Sequence, residues 1–264
     1  MRLPSAQEGI DRVELIALGA GPAYTDRAGS SGACYLVRDE KTTILLDLGQ
    51  GSFPKIFAEV PPEAIDAVLV SHLHPDHFID LVPLRHYLRY QLHPARRARV
   101  LGPRNLAARL DALHGEPGFS AAALDCEAPG ERNFRIGTLE VTARLVTHTA
   151  ESYGFRVAAG GGPGLVYSGD CGVADDLLGL THPGDVLLAE VSFGPGPVPA
   201  GAQHLDGREA GRAARTGGAS RLLMTHLLMG FDPDETVAAA RTQYDGPIEF
   251  VWPGSRIPLS PAGR

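Results

Sequence analysis

Cysteine is scarce in this chain. Only Cys34, Cys126 and Cys171 occur among 264 residues. Their number is odd and no two form a C-x-x-C pair, which argues against a disulfide framework and fits a reducing compartment. Long apolar runs are also missing. No stretch approaches about 18 apolar residues, so no segment is expected to span a membrane. The first residues, MRLPSAQEGIDR, hold no apolar run, so no Sec-type signal peptide is expected, and a soluble cytoplasmic protein is. Positive charge is in deficit, with a formal net charge of −7. A uniformly acidic surface repels nucleic acid, so any polyanion would need a local basic patch. P-loop and G-x-G-x-x-G patterns are absent, and no internal period suggests a solenoid. What is plentiful is apolar residues, at 44%. That is enough for a sizeable core and excludes disorder of the chain as a whole.

Residues 1–12 read as a flexible tail and 13–264 as a single domain. Apolar runs predict strands at 13–18, 33–38, 42–47, 66–71, 139–147, 153–158, 164–168, 185–191, 221–225 and 247–252. Helical spacing of Ile79, Leu81, Val82, Leu84 and Leu88 predicts a helix from Ile79 to about Leu92. Shorter helices are expected near 104–113, 206–216 and 233–243. Asp206 and Glu209 resemble a capping box at the start of the second of these. Gly160–Gly164 reads as a hairpin turn. Strands and helices mix throughout, so the class is α/β or α+β, with sheets packed inside helices.

The strongest chemical signal is Ser71-His72-Leu73-His74-Pro75-Asp76-His77, directly after a buried strand. In extended chain, residues two apart point the same way, so His72 and His74 can grip one cation. Pro75 turns the chain, and Asp76 and His77 can reach a neighbouring cation. Further ligand types stand at the ends of other apolar runs: His148, Asp170 and His226. Each alone could be a surface residue; their repetition favours a shared site.

In this order the seven residues resemble the ligand set of the metallo-β-lactamase superfamily. The resemblance covers nearly the whole chain. It implies an α+β, αββα four-layer sandwich with two central β-sheets and a site for two divalent ions, zinc or alternatively manganese. It assigns His72, His74 and His148 to the first ion, Asp76, His77 and His226 to the second, and Asp170 to both. Two ions about 3.5–4 Å apart can share a bridging hydroxide and bring the pKa of water towards neutrality. Asp47, in LLDLGQG, either orients a ligand imidazole, as such aspartates do in the superfamily, or is a turn residue before glycine.

The segment His204-Leu205-Asp206-Gly207-Arg208-Glu209 looks like the histidine motif of the branch holding ribonuclease Z-like enzymes and bacterial cyclic-nucleotide phosphodiesterases. There the histidine is thought to protonate or stabilise the leaving oxygen. His204 is thus either a general acid or a residue flanking a helix, and Asp76 and His204 are the candidate catalytic residues. Between Leu81 and Leu110 there is no acid but there are seven arginines: Arg85, Arg89, Arg96, Arg97, Arg99, Arg104 and Arg109. They form either a patch facing an anionic substrate or a solvated helix face. The glycine loop 19–32 is a weaker candidate for phosphate contacts. Two departures stand out. Gly194–Gly201 is too short for the transfer-RNA-gripping arm of ribonuclease Z, which disfavours long transfer RNA. Cys171 stands where relatives commonly have threonine, as a buried neutral thiol or a thiolate near the ions.

Three functions fit these residues. The first is a dinuclear phosphodiesterase, acting through a metal-bridging hydroxide on cyclic nucleotides or short nucleic-acid phosphodiesters. The whole resembles compact actinobacterial-type cyclic-nucleotide phosphodiesterases. The second is a dimetal lactonase, thioesterase or β-lactamase-type hydrolase; the third is a metal-stabilised binding protein. The His204 segment and the arginines favour the first. The expected partner is a small anionic phosphodiester, with a homodimer left open.

Overall fold

The computed structural model describes residues 13–259; the tail expected over 1–12 lies outside the described residues. Among the described residues, fourteen strands form two seven-stranded sheets. The first sheet contains β1 (Glu14–Gly19), β2 (Cys34–Arg38), β3 (Thr43–Leu46), β4 (Ala67–Leu69), β5 (Ala98–Leu101) and β6 (Leu124–Glu127). The second contains β7 (Asn133–Ile136), β8 (Leu139–Leu145), β9 (Tyr153–Ala159), β10 (Leu165–Tyr167), β11 (Val186–Glu190), β12 (Arg221–Thr225) and β13 (Ile248–Phe250). The last strand, β14 (Arg256–Pro258), returns to the first sheet beside β1.

Both sheets are mixed in the same way. Strands β3 to β6 run parallel, as do β10 to β13, while the other neighbours pair antiparallel. Alternation along β8 sends Leu139, Val141 and Ala143 inward, where they meet Leu15, Tyr35, Leu46 and Leu69 of the first sheet in one core. The outer face of the first sheet is covered by α1 (Phe53–Ile56), α2 (Pro75–Phe78), α3 (Leu81–His86) and α4 (Leu106–His114), through Ile56, Phe78, Leu84 and Leu110. The outer face of the second is covered by α5 (Gly207–Gly217) and α6 (Pro233–Arg241), through Ala210, Ala214 and Ala240. The result is an αββα sandwich. Each fully buried Leu or Phe contributes about 1.5–3 kcal/mol, so the three cores outweigh any single polar contact.

The expected capping box at Asp206 and Glu209 is present, and Gly160–Gly164 joins the antiparallel pair β9 and β10. The helix expected from Ile79 to Leu92 is broken in kind. It runs as α3 and then widens into a π-type turn over Tyr87–Gln91. Four strands escape the apolar-run criterion. Strand β5 lies inside the arginine run; β6 and β7 are half-exposed edges with alternating charge; β14 is three residues ending in proline. Among the described residues no helix is long and apolar enough to cross a membrane.

The turn that carries Asp76 is docked on the first sheet by backbone hydrogen bonds as well as by side chains. Ala33 N–H donates to the Asp76 carbonyl at 2.8 Å and Leu48 N–H to the His77 carbonyl at 2.8 Å. This close approach requires Gly49: a Cβ there would stand 1.8 Å from the Asp76 carbonyl oxygen. Gly49→Ala is therefore expected to cost about 1–3 kcal/mol or more in chemical denaturation. Wild-type stability in that variant would show that the Asp76 turn can move aside freely.

Candidate metal centre

Parallel strands place their C-terminal ends along one edge of each sheet, the usual position of ligand sites in such sheets. Asp47 follows β3, Ser71 and His72 follow β4, Asp170 follows β10, Glu190 ends β11 and His226 follows β12. The two edges meet, and the seven sequence-derived candidates come together there. His74, Pro75 and Asp76 start α2, which turns the acid and His77 inward. His148 lies in the β8–β9 connection.

Two sets of ligand atoms result. In the first, His74 Nδ1 lies 3.0 Å from His72 Nε2 and 3.1 Å from His148 Nε2. Asp170 Oδ2 is 3.7 Å from His72 Nε2 and 3.6 Å from His148 Nε2. In the second, His226 Nε2 lies 3.2 Å from Asp76 Oδ2 and 3.3 Å from His77 Nε2. Asp170 Oδ1 is 3.3 Å from His77 Nε2 and 3.6 Å from His226 Nε2. The two oxygens of Asp170 thus face different sets. Ligands about 2.0–2.1 Å from a tetrahedral zinc ion stand about 3.3 Å apart, which these separations bracket. Asp170 Oδ1 is buried with no hydrogen-bond partner, an orphaned acceptor that a cation would satisfy. The donor set therefore fits two divalent ions.

The ring nitrogens turned away from the ligand sets are held as well. His77 Nδ1 meets Asp47 Oδ2 at 2.7 Å, His148 Nδ1 meets the Gln203 carbonyl at 2.7 Å, and His226 Nδ1 meets Ser192 Oγ at 3.1 Å. Such partners fix tautomer and ring orientation at metal sites. Asp47 is fully buried and accepts from Ser71 N–H at 2.6 Å, Ser71 Oγ at 2.8 Å and Tyr167 OH at 2.6 Å as well. It is a turn residue in the left-handed region and a histidine partner at once.

Burial lowers His72 well below the usual imidazole range, reinforced by His77, and it lowers His74 and His148 too. Neutral imidazoles are what cations require. Burial also opposes charge on His77 and His226, but Asp170, with Asp47 for the former and Asp76 for the latter, raises both. Burial would raise Asp170 and Asp76. For Asp170 the charges of His226 and His77 outweigh it, and for Asp76 hydrogen bonds to the same two rings do, so both stay ionised. Burial pushes the Cys171 thiol up to about 12, and it donates to the Val173 carbonyl. Burial and this contact favour the neutral thiol of the two forms considered for Cys171.

His204 lies beside the first set, with Nδ1 2.9 Å from Glu190 Oε1 and 3.8 Å from Asp170 Oδ2. Glu190 is the functional residue that sequence reasoning missed. It is buried, and it also accepts from Cys171, Leu205 and Ser192 N–H groups. An acid closing the apolar run Val186–Glu190 was the available signal, the same one that marked Asp170. Four of the seven arginines in the run have protein partners. Arg97 pairs with Asp125, Arg99 with Glu127 and Arg104 with Glu151, while buried Arg85 donates to the Phe119 carbonyl. Arg97 also precedes β5, at the end of that strand opposite the metal-centre edge. The glycine loop 19–32 uses the N–H groups of Gly21, Arg27, Ser30 and Gly32 on its own turns and on Gln50.

Fold and site define a metallo-hydrolase. The chain belongs to the β-lactamase superfamily domain family, which matches residues 42–227. An uncharacterized protein of Mycobacterium leprae is 34% identical over 247 residues, covering 89% of this chain and 85% of its own. The probable metallo-hydrolase YhfI of Bacillus subtilis is 26% identical over 232 residues, covering 86% of this chain and 94% of its own. The crystal structure of YhfI superposes with a TM-score of 0.83 at 24% identity, over 94% of this chain and 99% of that one. A new diphosphatase from the PhnP family gives 0.73 at 17% identity, over 94% and 98%. Human tRNase Z, short form, gives 0.70 at 20% identity, over 94% and 99%.

Elemental analysis of protein reconstituted with zinc or manganese is expected to find about two ions per chain. Asp170→Ala should drop that to one or fewer and nearly abolish turnover, because it removes an oxygen from each set. Full metal content with near-normal kcat in this variant would refute the ligand assignment.

Proposed function

We propose that the chain is a dinuclear phosphodiesterase acting on cyclic nucleotides or short nucleic-acid phosphodiesters. His72, His74 and His148 would hold one ion, Asp76, His77 and His226 the other, and Asp170 one oxygen to each. When bound, two such ions neutralise phosphoryl charge and bring the pKa of water towards neutrality. The observation that carries the phosphodiester reading is His204, braced by buried Glu190 beside the first ligand set. Burial opposes charge on His204, but the Glu190 hydrogen bond and charge, with Asp170, raise its pKa. That shift favours the protonated form of His204 that a general acid needs. Its Nε2 makes no hydrogen bond among the described residues, so the proton there is available to a leaving alkoxide.

Asp76 complements this. One of its oxygens meets His77 and His226; the other has no hydrogen-bond partner among the described residues and can accept a proton from attacking water. The names of two similar structures, a tRNase and a diphosphatase, agree with phosphoryl chemistry. The β11–α5 connection, Val191–Asp206, contains no strand or helix that could serve as a transfer-RNA arm, which favours a small substrate.

His204→Ala should retain its metals and lower kcat by roughly 10²–10⁴-fold on a nucleotide phosphodiester, the range for a general acid. A nitrophenolate leaves without protonation, so an aryl phosphodiester should lose far less. Equal losses on both would remove His204 from the acid role. Efficient lactone or thioester hydrolysis with no phosphodiester turnover would overturn the reading as a whole.

The acid form of His204 is the active one, so kcat should fall as pH rises through its raised pKa. Glu190→Gln removes the group that raises it, and the alkaline fall should begin at lower pH. An unmoved alkaline limb, measured on an alkoxide-leaving substrate with metal content checked, would detach Glu190 from the acid.

A further inference from the structure

A cavity of about 290 Å³ is lined by His226 but by no other member of the ligand sets, nor by His204. It is lined by the loop after β1, by His226 and by the segment following β13. Its wall is aromatic: Phe250 and Trp252 stack with centroids 5.3 Å apart and planes 20° apart. Trp252 is 39% exposed although Ser255 Oγ fixes its backbone at 3.1 Å. Arg27 lies over the Trp252 ring, 5.9 Å from its centroid. Its guanidinium is held in place by the Leu227 and Phe231 carbonyls, each at 3.0 Å. Those acceptors are neutral, and among the described residues no carboxylate pairs with Arg27, so its charge stays available to a ligand. Thr25 and Ser30 add hydroxyls to the lining.

We propose that this cavity receives the base of a nucleoside phosphodiester and sets the preference for nucleosides over simpler esters. This rests on the phosphodiesterase reading. Three properties converge on a base. The volume sits at the small end of ligand pockets, suited to one ring system and not to a polymer. Flat aromatic and guanidinium faces favour a planar π-system, which stacks with little regard to its identity. His226 belongs both to the second ligand set and to the cavity lining, so a phosphoryl group at the centre has this cavity as a neighbour for its nucleoside. A purely aliphatic ester group would gain nothing from Arg27.

Trp252 is the sole tryptophan in the chain, so its emission reports on this cavity alone. Metal-loaded protein is titrated with nucleoside monophosphates and, separately, with ribose 5-phosphate. Excitation is at the red edge of indole absorption, where the bases are transparent. Nucleotides should quench the emission saturably and ribose 5-phosphate should not; Arg27→Gln should weaken the nucleotide titration several-fold. In turnover, Trp252→Ala should raise KM for a nucleoside cyclic phosphodiester more than it changes kcat. It should also narrow the preference for that substrate over its base-free ribose analogue by about tenfold, with Trp252→Phe restoring most of it. Hydrolysis of nucleoside diesters without base-dependent quenching would place the base elsewhere and overturn the cavity assignment while leaving the phosphodiesterase intact. Base-dependent quenching with no phosphodiester turnover would keep the base site and overturn the reaction.

Discussion

A carboxylate buried with an unsatisfied oxygen is the constraint on which this centre turns. Asp170 is 2% exposed, both of its oxygens face imidazole nitrogens, and Oδ1 has no hydrogen bond. An ion removed from water costs several kcal/mol unless opposite charge is brought to it. In the protein alone the imidazoles of His77 and His226 face the Asp170 carboxylate, which raises the proton affinity of both against burial. Cations would do the same work and displace the protons, since both compete for the same nitrogens. The centre is therefore built to be completed: neighbouring positive charge holds Asp170 well below the usual carboxylate range, and burial holds His72 well below the usual imidazole range.

The fold makes that concentration of polar groups affordable by placing it at the ends of strands. Two sheets of the same mixed topology bring the C-terminal edges of their parallel strands together. Beside the residues that the α2 turn and the β8–β9 connection bring in, Asp47, His72, Asp170, Glu190 and His226 therefore emerge from rigid, apolar runs. Two of them leave their strands in the left-handed region, Asp47 and His226, each with φ 59°. They are the only non-glycine residues with positive φ among the described residues. Such a conformation costs on the order of 1–3 kcal/mol and persists where surrounding bonds overdetermine it. Asp47 has its four hydrogen bonds, and His226 has the Ala20 carbonyl on its N–H and Ser192 on its ring. The strain turns each side chain back across the sheet edge to meet residues from the opposite sheet.

Legibility in the sequence followed the same physics. Interior strands other than β5, which the arginines around it disguise, were readable because burial on both faces leaves continuous apolar runs, as in Val186–Glu190 and Arg221–Thr225. The sheet margins were not, because β6 and β7 bury only one face and alternate with charge. His72 to His77 stood out since ligand types crowd one turn, and Asp170 and His226 because each ends an apolar strand. Glu190 obeyed that rule and was missed because its partner, His204, lies 14 residues away in a loop without periodicity. The arginine run misled in the opposite direction. Spacing shows a deficit of acids nearby in sequence, while Asp125, Glu127 and Glu151 are near only after β6 and the β8–β9 connection fold back.

That pairing bears on the scale of substrate the proposed enzyme can use. A long polyanion gains affinity by setting many free cations against many phosphates. Here the net charge is −7, and Arg97, Arg99 and Arg104 spend their charge on neighbouring acids. At the centre itself, positive charge would come at single points: the ions the ligand sets fit, His204, and Arg27 in the adjoining cavity. Point charges recognise one phosphoryl group and what is attached to it, and not a backbone of many. A substrate drawn in by them has its affinity set by contacts within one nucleotide's reach, so discrimination must come from the walls around the centre and not from the outer surface.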